Sequence, residues 1–208
     1  DADVYRKRCY FGAGKPQPGH ALKFGPNITE WPKIPALSDN LLMQVASVLR
    51  DPVTTTDELI PSGETSSYRS NPLKLATFAL SRRDPEYVAR ANATKALEAA
   101  RADGLVPPEL ETVLSKLGLS REDAKTMQLG SVIFANKPGD GSAREQAASC
   151  QRVLGGCANI CYEFATKRYR SNCVNWGMLP FTLEKDEKFP LAPGDFIYVP
   201  DVKRKVMA

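Results

Sequence analysis

Apolar residues recur along this chain with helical spacing in some stretches and as short continuous runs in others. Within residues 86–103, alanine and leucine recur three and four positions apart, which predicts a helix that ends at Gly104. The same spacing after Pro107-Pro108 predicts a second helix, which ends at Gly118. Both helices are predicted to be packing elements.

A further helix is predicted to start at Ser38. Ser38 or Asp39 can cap its first turn, and Asp51-Pro52 ends it. Its apolar face would be formed by four residues at helical spacing, which are Leu42, Val45, Ala46 and Leu49.

The chain changes character after Gln128, where short apolar runs alternate with helical patterns. This alternation predicts an α/β fold. The predicted strands span 131–135, 158–164, 179–184 and 196–199, and the predicted helices span 143–154 and 166–175. The final residues, Val199 to Val206, look strand-like and stop abruptly, so we expect a longer natural chain.

Two stretches lack any periodic pattern. Residues 1–37 are rich in glycine and proline and are predicted to form an extended arm that lies on another part of the protein. Residues 38–208 are predicted to form one domain. Inside that domain, residues 52–72 form a long polar loop of the kind that is usually either functional or disordered.

The composition is that of a folded globular protein, because 42% of the 208 residues are hydrophobic and 25% are charged. No run of about 20 apolar residues occurs, which excludes a membrane-spanning helix. The 28 Lys and Arg residues against 24 Asp and Glu residues are scattered, which disfavours nucleic acid as a partner. The basic cluster at 167–170 is interpreted as an exposed helix face. The chain begins without Met or a signal peptide, which suggests a domain of a longer protein.

An odd number of cysteines without any sign of secretion predicts reduced thiols in a cytoplasmic protein. These cysteines are Cys9, Cys150, Cys157, Cys161 and Cys173. Burial as small hydrophobic residues is favoured over metal binding, because no CxxC pair occurs and the single histidine, His20, is distant in sequence. No residue of this chain is predicted to ligate a metal.

The stretch with the clearest chemistry is Gly139–Glu145, which reads GDGSARE. Its two glycines permit left-handed turns, so the loop can present backbone N–H groups and the Ser142 hydroxyl at the positive end of the following helix. An anion binds favourably there. Arg144 has the charge to stabilise a serine alkoxide and the planar fork to bind a carboxylate. The simpler alternative is that Ser142 only caps the helix and Arg144 is a surface residue.

Several segments of the chain together resemble the C-terminal swivelling domain of the aconitase family. The counterparts of the family's Gly-Ser-Arg-Glu-His loop, Leu-Gly-Gly turn, Ser-Phe-Ala-like segment and Leu-Leu-Pro-Leu strand are Gly141–Gln146, Leu154–Gly156, Glu163–Ala165 and Met178–Phe181. A second match is Thr55-Thr56-Asp57, followed twelve residues after the aspartate by Arg69 in a Tyr-Arg pair.

This resemblance implies a swivelling β/β/α-type domain with a mixed sheet flanked by helices. It also implies a lyase that reversibly dehydrates a hydroxy polycarboxylic acid. In the family an iron–sulfur (4Fe-4S) cluster acts as Lewis acid, while a serine alkoxide removes a proton. By carry-over, Ser142 is the implied catalytic base and Arg144 stabilises it and contacts the substrate. Arg69 would bind a substrate carboxylate, and Asp57 would orient groups near the site.

Three positions depart from the family pattern. Ala143 occupies a substrate-binding position where the family often has a second serine, and Glu58 and Gln146 each replace a histidine. These changes favour a divergent hydratase that acts on an acid related to citrate and isocitrate.

In the family, three cysteines from another, larger part of the enzyme hold the cluster, and they include a CxxC pair. The cluster ligands are therefore expected outside this chain, and the implied partner is the remainder of the enzyme, as further domains or as a large subunit. Alone, the chain is expected to be inactive. Two alternatives are a non-catalytic module that binds an anion or RNA and a plain structural domain. The joint presence of Asp57, Arg69, Ser142 and Arg144 favours the enzyme.

Overall fold

Short helices connect the strands of this chain over most of its length. The computed structural model describes residues 2–8 and 14–208, so the prediction for Cys9 lies outside the described residues. The α-helices are α1 (Ala2–Arg8), α2 (Thr56–Leu59), α3 (Pro72–Ala76), α4 (Tyr87–Ala102), α5 (Pro108–Lys116), α6 (Arg144–Val153), α7 (Lys167–Asn175) and α8 (Val202–Met207). Two 3-10 helices lie at Ser66–Tyr68 and Asp123–Thr126.

One mixed sheet organises the domain. The strands are β1 (Asn40–Leu49), β2 (Thr54–Thr55), β3 (Met127–Ala135), β4 (Pro138–Asp140), β5 (Gly156–Cys161), β6 (Leu179–Thr182) and β7 (Phe196–Val199). Five of them form a sheet in the order β6-β5-β3-β1-β7, while β2 pairs with β4 separately. The first four of the five run parallel to their neighbours, and β7 is antiparallel to β1 at the edge. The predicted α/β class is confirmed, with a mixed sheet flanked by helices.

Both faces of the sheet are covered. On one face, Ala46 and Ile133 pack in a cluster that also takes buried residues from α2, α3, α4, α6 and α7. On the other face, Leu41 and Phe134 pack with Phe189, which lies in an irregular segment before β7. The rings of Phe134 and Phe189 stack with their centroids 4.3 Å apart. Most of the helices therefore lie on one side of the sheet.

Four of the predicted helices are confirmed, with ends that shift by one or two residues, and they are α4, α5, α6 and α7. Gly104 and Gly118 follow α4 and α5 with φ of 80° and 69°, as expected for glycines that end helices. All four predicted strands are present, although β3 begins four residues earlier than its prediction, at Met127.

The helix predicted from Ser38 to Asp51 is wrong, because residues 40–49 form strand β1. This strand is an interior one, paired with β3 on one side and β7 on the other. Leu41 and Leu42 point to different clusters and are both fully buried. Strands buried on both faces read as continuous apolar runs, and helical spacing can be found within such a run by coincidence.

Both ends of the chain also differ from their predictions. Residues 202–207, expected to be strand-like, form α8. The chain turns at Asp201, whose φ is 55°, and Val202 then packs in the same cluster as Leu41 and Phe134. At the other end, the helix α1 lies within the predicted extended arm. Asp3 in its first turn complements the positive end of this short helix.

Residues 14–37 carry no helix or strand, and several contacts tie them to the domain. Thr29 N–H donates to the Ser70 carbonyl at 3.0 Å, and the Arg152 guanidinium donates to the Pro35 carbonyl at 3.0 Å. Between these contacts, the Trp31 ring packs on Trp176 with centroids 4.6 Å apart. We call residues 14–37 the arm. The boundary between residues 37 and 38 stays a prediction.

The described helices are all too short or too polar to cross a membrane. The polar loop of residues 52–72 contains β2, α2 and one 3-10 helix, so it is more ordered than its composition indicates. Pro61 and Thr65 are buried in this loop, and the Thr65 hydroxyl donates to the Pro61 carbonyl at 2.7 Å.

Burial of β1 on both faces predicts similar losses for truncation of either neighbouring leucine. Leu41→Ala and Leu42→Ala should each lower the free energy of unfolding in urea by about 2–5 kcal/mol. Leu105→Ala is the matched control, because Leu105 is 61% exposed, and its change should stay within about 0.5 kcal/mol. A large loss for only one of the two β1 variants would contradict the two-sided burial.

Candidate functional site

Two segments more than eighty residues apart in sequence lie side by side. Strand β2 pairs in parallel with β4, with Thr54 opposite Pro138 and Thr55 opposite Asp140. Beyond this pairing, β2 continues into α2, while β4 continues through Gly141–Ala143 into α6. The Thr-Thr-Asp segment and the Gly-Ser-Ala-Arg loop are therefore neighbours.

The loop backbone passes so close to two side chains that only glycine fits. Gly139 has φ of 95°, and a Cβ at this position would overlap the ring of Tyr169. Gly141 has φ of 125°, and a Cβ there would overlap the Thr56 hydroxyl. Both positions are therefore constrained by backbone conformation and by lack of space.

Tyr169, which covers Gly139, is held by a closed set of buried hydrogen bonds. Its hydroxyl donates to Asn159 Oδ1 at 2.7 Å and accepts from Gln151 Nε2 at 2.8 Å, and Asn159 Nδ2 donates to Gln151 Oε1 at 2.8 Å. Burial raises the pKa of Tyr169 well above its usual value, so the phenol stays neutral. The basic residues on either side of Tyr169 in the 167–170 cluster are exposed, as predicted.

The start of α7 contributes a second contact to the loop. Thr166 is the N-cap of α7, and its hydroxyl accepts from the Tyr169 backbone N–H at 3.1 Å. The same hydroxyl donates to the Gly139 carbonyl at 3.0 Å. One threonine thus links the helix start to the loop.

Ser142 is exposed and does not cap α6. The N-cap position belongs to Ala143, whose φ and ψ are −80° and 41°, and no side chain bonds to the first turn of this helix. The Ser142 hydroxyl has no hydrogen-bond partner among the described residues. Since the first N–H groups of a helix have no partner inside it, the hydroxyl lies next to free donors and to the positive helix end. The alternative of a simple capping serine does not hold here.

Arg144 lies in the first turn of α6 and is half-buried. Its Nε is buried without a hydrogen-bond partner, and within the described chain the guanidinium forms no ion pair with a carboxylate. A partly buried, uncompensated guanidinium beside a helix N-terminus favours the approach of an anion. Ala143, between Ser142 and Arg144, packs with its methyl group against the core cluster that contains Ala46 and Ile133, which we call the helix-side core cluster.

Asp57 is already engaged within its own loop. Its Oδ1 accepts from the Ser62 N–H at 3.0 Å and from the Ser62 hydroxyl at 3.1 Å, and its Oδ2 pairs with Arg82 Nη1 at 3.0 Å. The hydrogen bonds from Ser62, together with Arg82, lower the pKa of Asp57. Arg82 also pairs with Glu64 at 2.7 Å, so these residues fix the loop after α2. Sequence reasoning missed Arg82, which lies 25 residues from Asp57.

Glu58 has a structural partner on each side. Its carboxylate accepts from the Thr55 N–H at 2.7 Å, and its own N–H donates to the Thr55 hydroxyl at 3.2 Å, which together form a capping box. Its other oxygen lies 3.2 Å from Arg83 Nε, and Arg83 also pairs with Asp51. The Thr-x-x-Glu spacing was the signal in the sequence for this arrangement.

Arg69 is exposed and follows the 3-10 helix at Ser66–Tyr68. Tyr68 stacks on Phe78 with centroids 5.7 Å apart and packs against the helix-side core cluster that Ala143 also contacts. Within the described residues, Arg69 has neither an ion pair nor a side-chain hydrogen bond. The structure therefore places Arg69 on an anchored turn with its charge free, and shows no bond between it and Ser142 or Arg144.

The described cysteines do not suit a metal cluster. All four, Cys150, Cys157, Cys161 and Cys173, are free and buried, and burial raises the pKa of each thiol to about 12. Metal ligation requires the thiolate. No three His, Cys, Asp or Glu side chains among residues 2–8 and 14–208 are grouped closely enough to hold a metal ion.

The family model of the aconitase C-terminal domain matches residues 90–186. This span contains Ser142, Ala143 and Arg144, but neither Asp57 nor Arg69. A 3-isopropylmalate dehydratase from Methanocaldococcus jannaschii is similar in structure, with 20% sequence identity and a TM-score of 0.45 over 79% of this chain and 72% of that one. No curated protein matches this chain closely.

The contact between Gly139 and Tyr169 predicts an unusually large cost for a single methyl group. Gly139→Ala and Gly104→Ala both place alanine at positive φ, but a Cβ at Gly104 has no neighbour within 4 Å. Gly104→Ala should lower the free energy of unfolding by about 1–2 kcal/mol for backbone strain. Gly139→Ala should cost about 1–3 kcal/mol more, because the ring must move. Equal losses in urea denaturation would contradict the steric role of Tyr169.

Proposed function

Because residues 90–186 match the family model of the aconitase C-terminal domain, we propose that this chain is the hydro-lyase module that supplies a serine base and substrate-binding arginines. The reaction is the reversible removal of water from a hydroxy polycarboxylic acid. One observation carries this proposal. The exposed Ser142 and the unpaired Arg144 lie at the start of α6. The Thr55–Asp57 segment lies beside their loop, because β2 pairs with β4, the strand that leads into that loop.

Ser142 acts as the base in this proposal. Its Oγ, as an alkoxide, takes a proton from the carbon next to the one that carries the hydroxyl group. The electron pair of the broken C–H bond forms a carbon–carbon double bond, and hydroxide leaves from the neighbouring carbon. A free serine is too weak a base at neutral pH, so the helix N-terminus and the Arg144 guanidinium are required to stabilise the alkoxide.

The arginines bind the substrate carboxylates. Arg144 has a buried Nε without a partner, and Arg69 has a free guanidinium on an anchored turn. Each can form a planar, two-bond contact with a carboxylate. Ala143 contributes its backbone N–H at the helix start. Asp57 acts through the loop that it holds with Ser62 and Arg82.

Departure of hydroxide requires a group that this chain lacks among its described residues. In the aconitase family this group is a 4Fe-4S cluster, but the buried, protonated cysteines described above do not fit it. We therefore assign no step of the reaction to a cluster held by this chain. We propose that the cluster ligands lie in a partner, either further domains or a separate subunit. Free thiols also support a reducing compartment such as the cytoplasm.

Ser142→Ala tests the base directly in the native, complete enzyme, with hydroxy di- and tricarboxylic acids as substrates. The kcat should fall by about 10²- to 10⁴-fold, because no other group takes the proton, while KM changes little. Ser115→Ala is the matched control on an exposed face of α5 and should leave both constants unchanged. A loss of less than about tenfold in Ser142→Ala would remove Ser142 from this role.

Arg69→Lys tests carboxylate binding in the same enzyme. The KM should rise by roughly 10- to 100-fold, because a charge-assisted bond worth about 1.5–3 kcal/mol is lost when an ammonium replaces the planar fork. Arg121→Lys serves as control, since Arg121 pairs with Glu111 on the surface near α5. An unchanged KM for Arg69→Lys would show that Arg69 does not contact the substrate.

A further inference from the structure

A cavity lies at the opposite end of α6 from Ser142. Its volume is about 260 Å³, and its walls come from the arm, α4, the start of β3 and the turn between α6 and β5. Ligand pockets usually measure ~300–1,000 Å³, so this cavity suits only a small molecule. Ser142 precedes α6 and Arg152 lies in its last turn, which separates them by roughly 15 Å at 1.5 Å per residue.

Arg152 is a buried cation without a counter-ion in this wall. It is 9% exposed, and within the described chain it forms no ion pair with a carboxylate. Its Nη1 and Nη2 donate to the carbonyls of Gly156 and Pro35, both at 3.0 Å, while its Nε is buried without a partner. Its position in the last turn of α6 offsets part of the cost of burial. Buried charges are otherwise paired, so an uncompensated guanidinium indicates a missing anion.

The other charged groups leave the cavity positive, because Lys33 and Lys95 both line it. Lys95 donates to the Val153 carbonyl at 2.9 Å, and it too has no carboxylate partner in the part of the chain that the structure describes. Glu98 also lines the cavity, but its carboxylate accepts from Arg101 Nε at 2.7 Å and from the Leu129 N–H at 2.8 Å. The one acidic side chain in the wall is thus already neutralised.

Most of the remaining wall is apolar. It is formed by side chains from the arm, α4, β3 and α6, among them Ile34, Pro35, Ala99, Leu129 and Val153. We propose that this cavity binds a small carboxylic acid with an apolar body, whose carboxylate pairs with Arg152 and Lys95. The apolar wall would cover the hydrocarbon part of this acid.

The arm makes this site easy to observe. Residues 32–35 form one wall, and Trp31 precedes them directly and packs on Trp176. The chain has two tryptophans, and both belong to this pair. A ligand that fills the cavity should therefore change the intrinsic tryptophan fluorescence.

The test titrates the full chain with 4-methylpentanoate and with its neutral amide, 4-methylpentanamide, and follows binding by calorimetry and tryptophan fluorescence. The acid should bind at least tenfold more tightly than the amide, because only the acid pairs with the two cations. Potassium sulfate at matched ionic strength is the third probe and should bind more weakly than the acid.

Two variants locate the binding. Arg152→Gln removes the charge and should weaken acid binding at least tenfold, but it also removes two bonds to carbonyls. Ala99→Leu therefore provides the second variant, because it fills the cavity and leaves both cations in place. Ala93→Leu is its matched control on the same helix, since Ala93 is exposed and does not line the cavity.

The proposal holds if the acid is preferred over the amide and if Ala99→Leu abolishes binding while Ala93→Leu retains it. Absence of acid binding to the wild-type chain, or equal affinities for acid and amide, would overturn it and leave Arg152 as an anchor for the arm. Equal or tighter binding of sulfate would overturn the apolar acid as the ligand class. None of these outcomes depends on the role of Ser142.

Discussion

The close approach of the loop backbone to Tyr169 and Thr56 is the constraint on which the site depends. Gly139 and Gly141 lie against these side chains at positive φ, so the chain has one way to pass from β4 to α6. The Tyr169 hydroxyl donates one hydrogen bond to Asn159 and accepts one from Gln151. The ring therefore cannot turn away without leaving buried polar atoms unpaired. Such an atom costs about 1–3 kcal/mol, which makes the ring a fixed wall for the loop.

The sheet topology explains why remote parts of the sequence meet at this loop. β3 and β5 are parallel neighbours, and the chain between them holds both β4 and α6. β1 is the next strand in the sheet, and the chain after it enters β2, which pairs with β4. The carboxyl ends of adjacent parallel strands therefore place the Thr-Thr-Asp segment beside the Gly-Ser-Ala-Arg loop, where open α/β sheets commonly bind ligands.

Local signals in the sequence correctly predicted elements that have one apolar face and one exposed face. Helix α4 has one apolar stripe and an ending glycine, and was predicted within one residue at each end. Strand β1 is buried on both faces, so its apolar run carried no alternation, and a chance helical spacing led to the wrong element. The glycines of the loop signalled a special backbone, but the residues that require them, Tyr169 and Thr56, are identified only by tertiary contacts.

The same limit applies to charged residues. Asp57 was predicted to orient groups at the site, and the structure shows its carboxylate bound to Ser62 and Arg82. No sequence pattern connects Asp57 with Arg82. Their pairing depends on the path of the chain through α3, which brings Arg82 back beside the loop that carries Asp57. Similarly, the helix predicted over 143–154 gave no indication that Arg152 is buried. Its burial depends on the arm, whose Pro35 carbonyl is 117 residues away in sequence.

Exposure of Ser142 and Arg69 bears on how such a site works. In bulk water, two unit charges 4 Å apart attract by only about 1 kcal/mol, whereas at an effective dielectric constant near 20 the attraction is about 4 kcal/mol. An alkoxide on an open loop would thus gain little from Arg144 or from the helix end. The proposed chemistry requires that a partner surface cover the loop and exclude water. The same surface must also bring the group that removes hydroxide. Under the proposed function, the base strength and the leaving-group chemistry would both come from the same association, because both depend on closing the site.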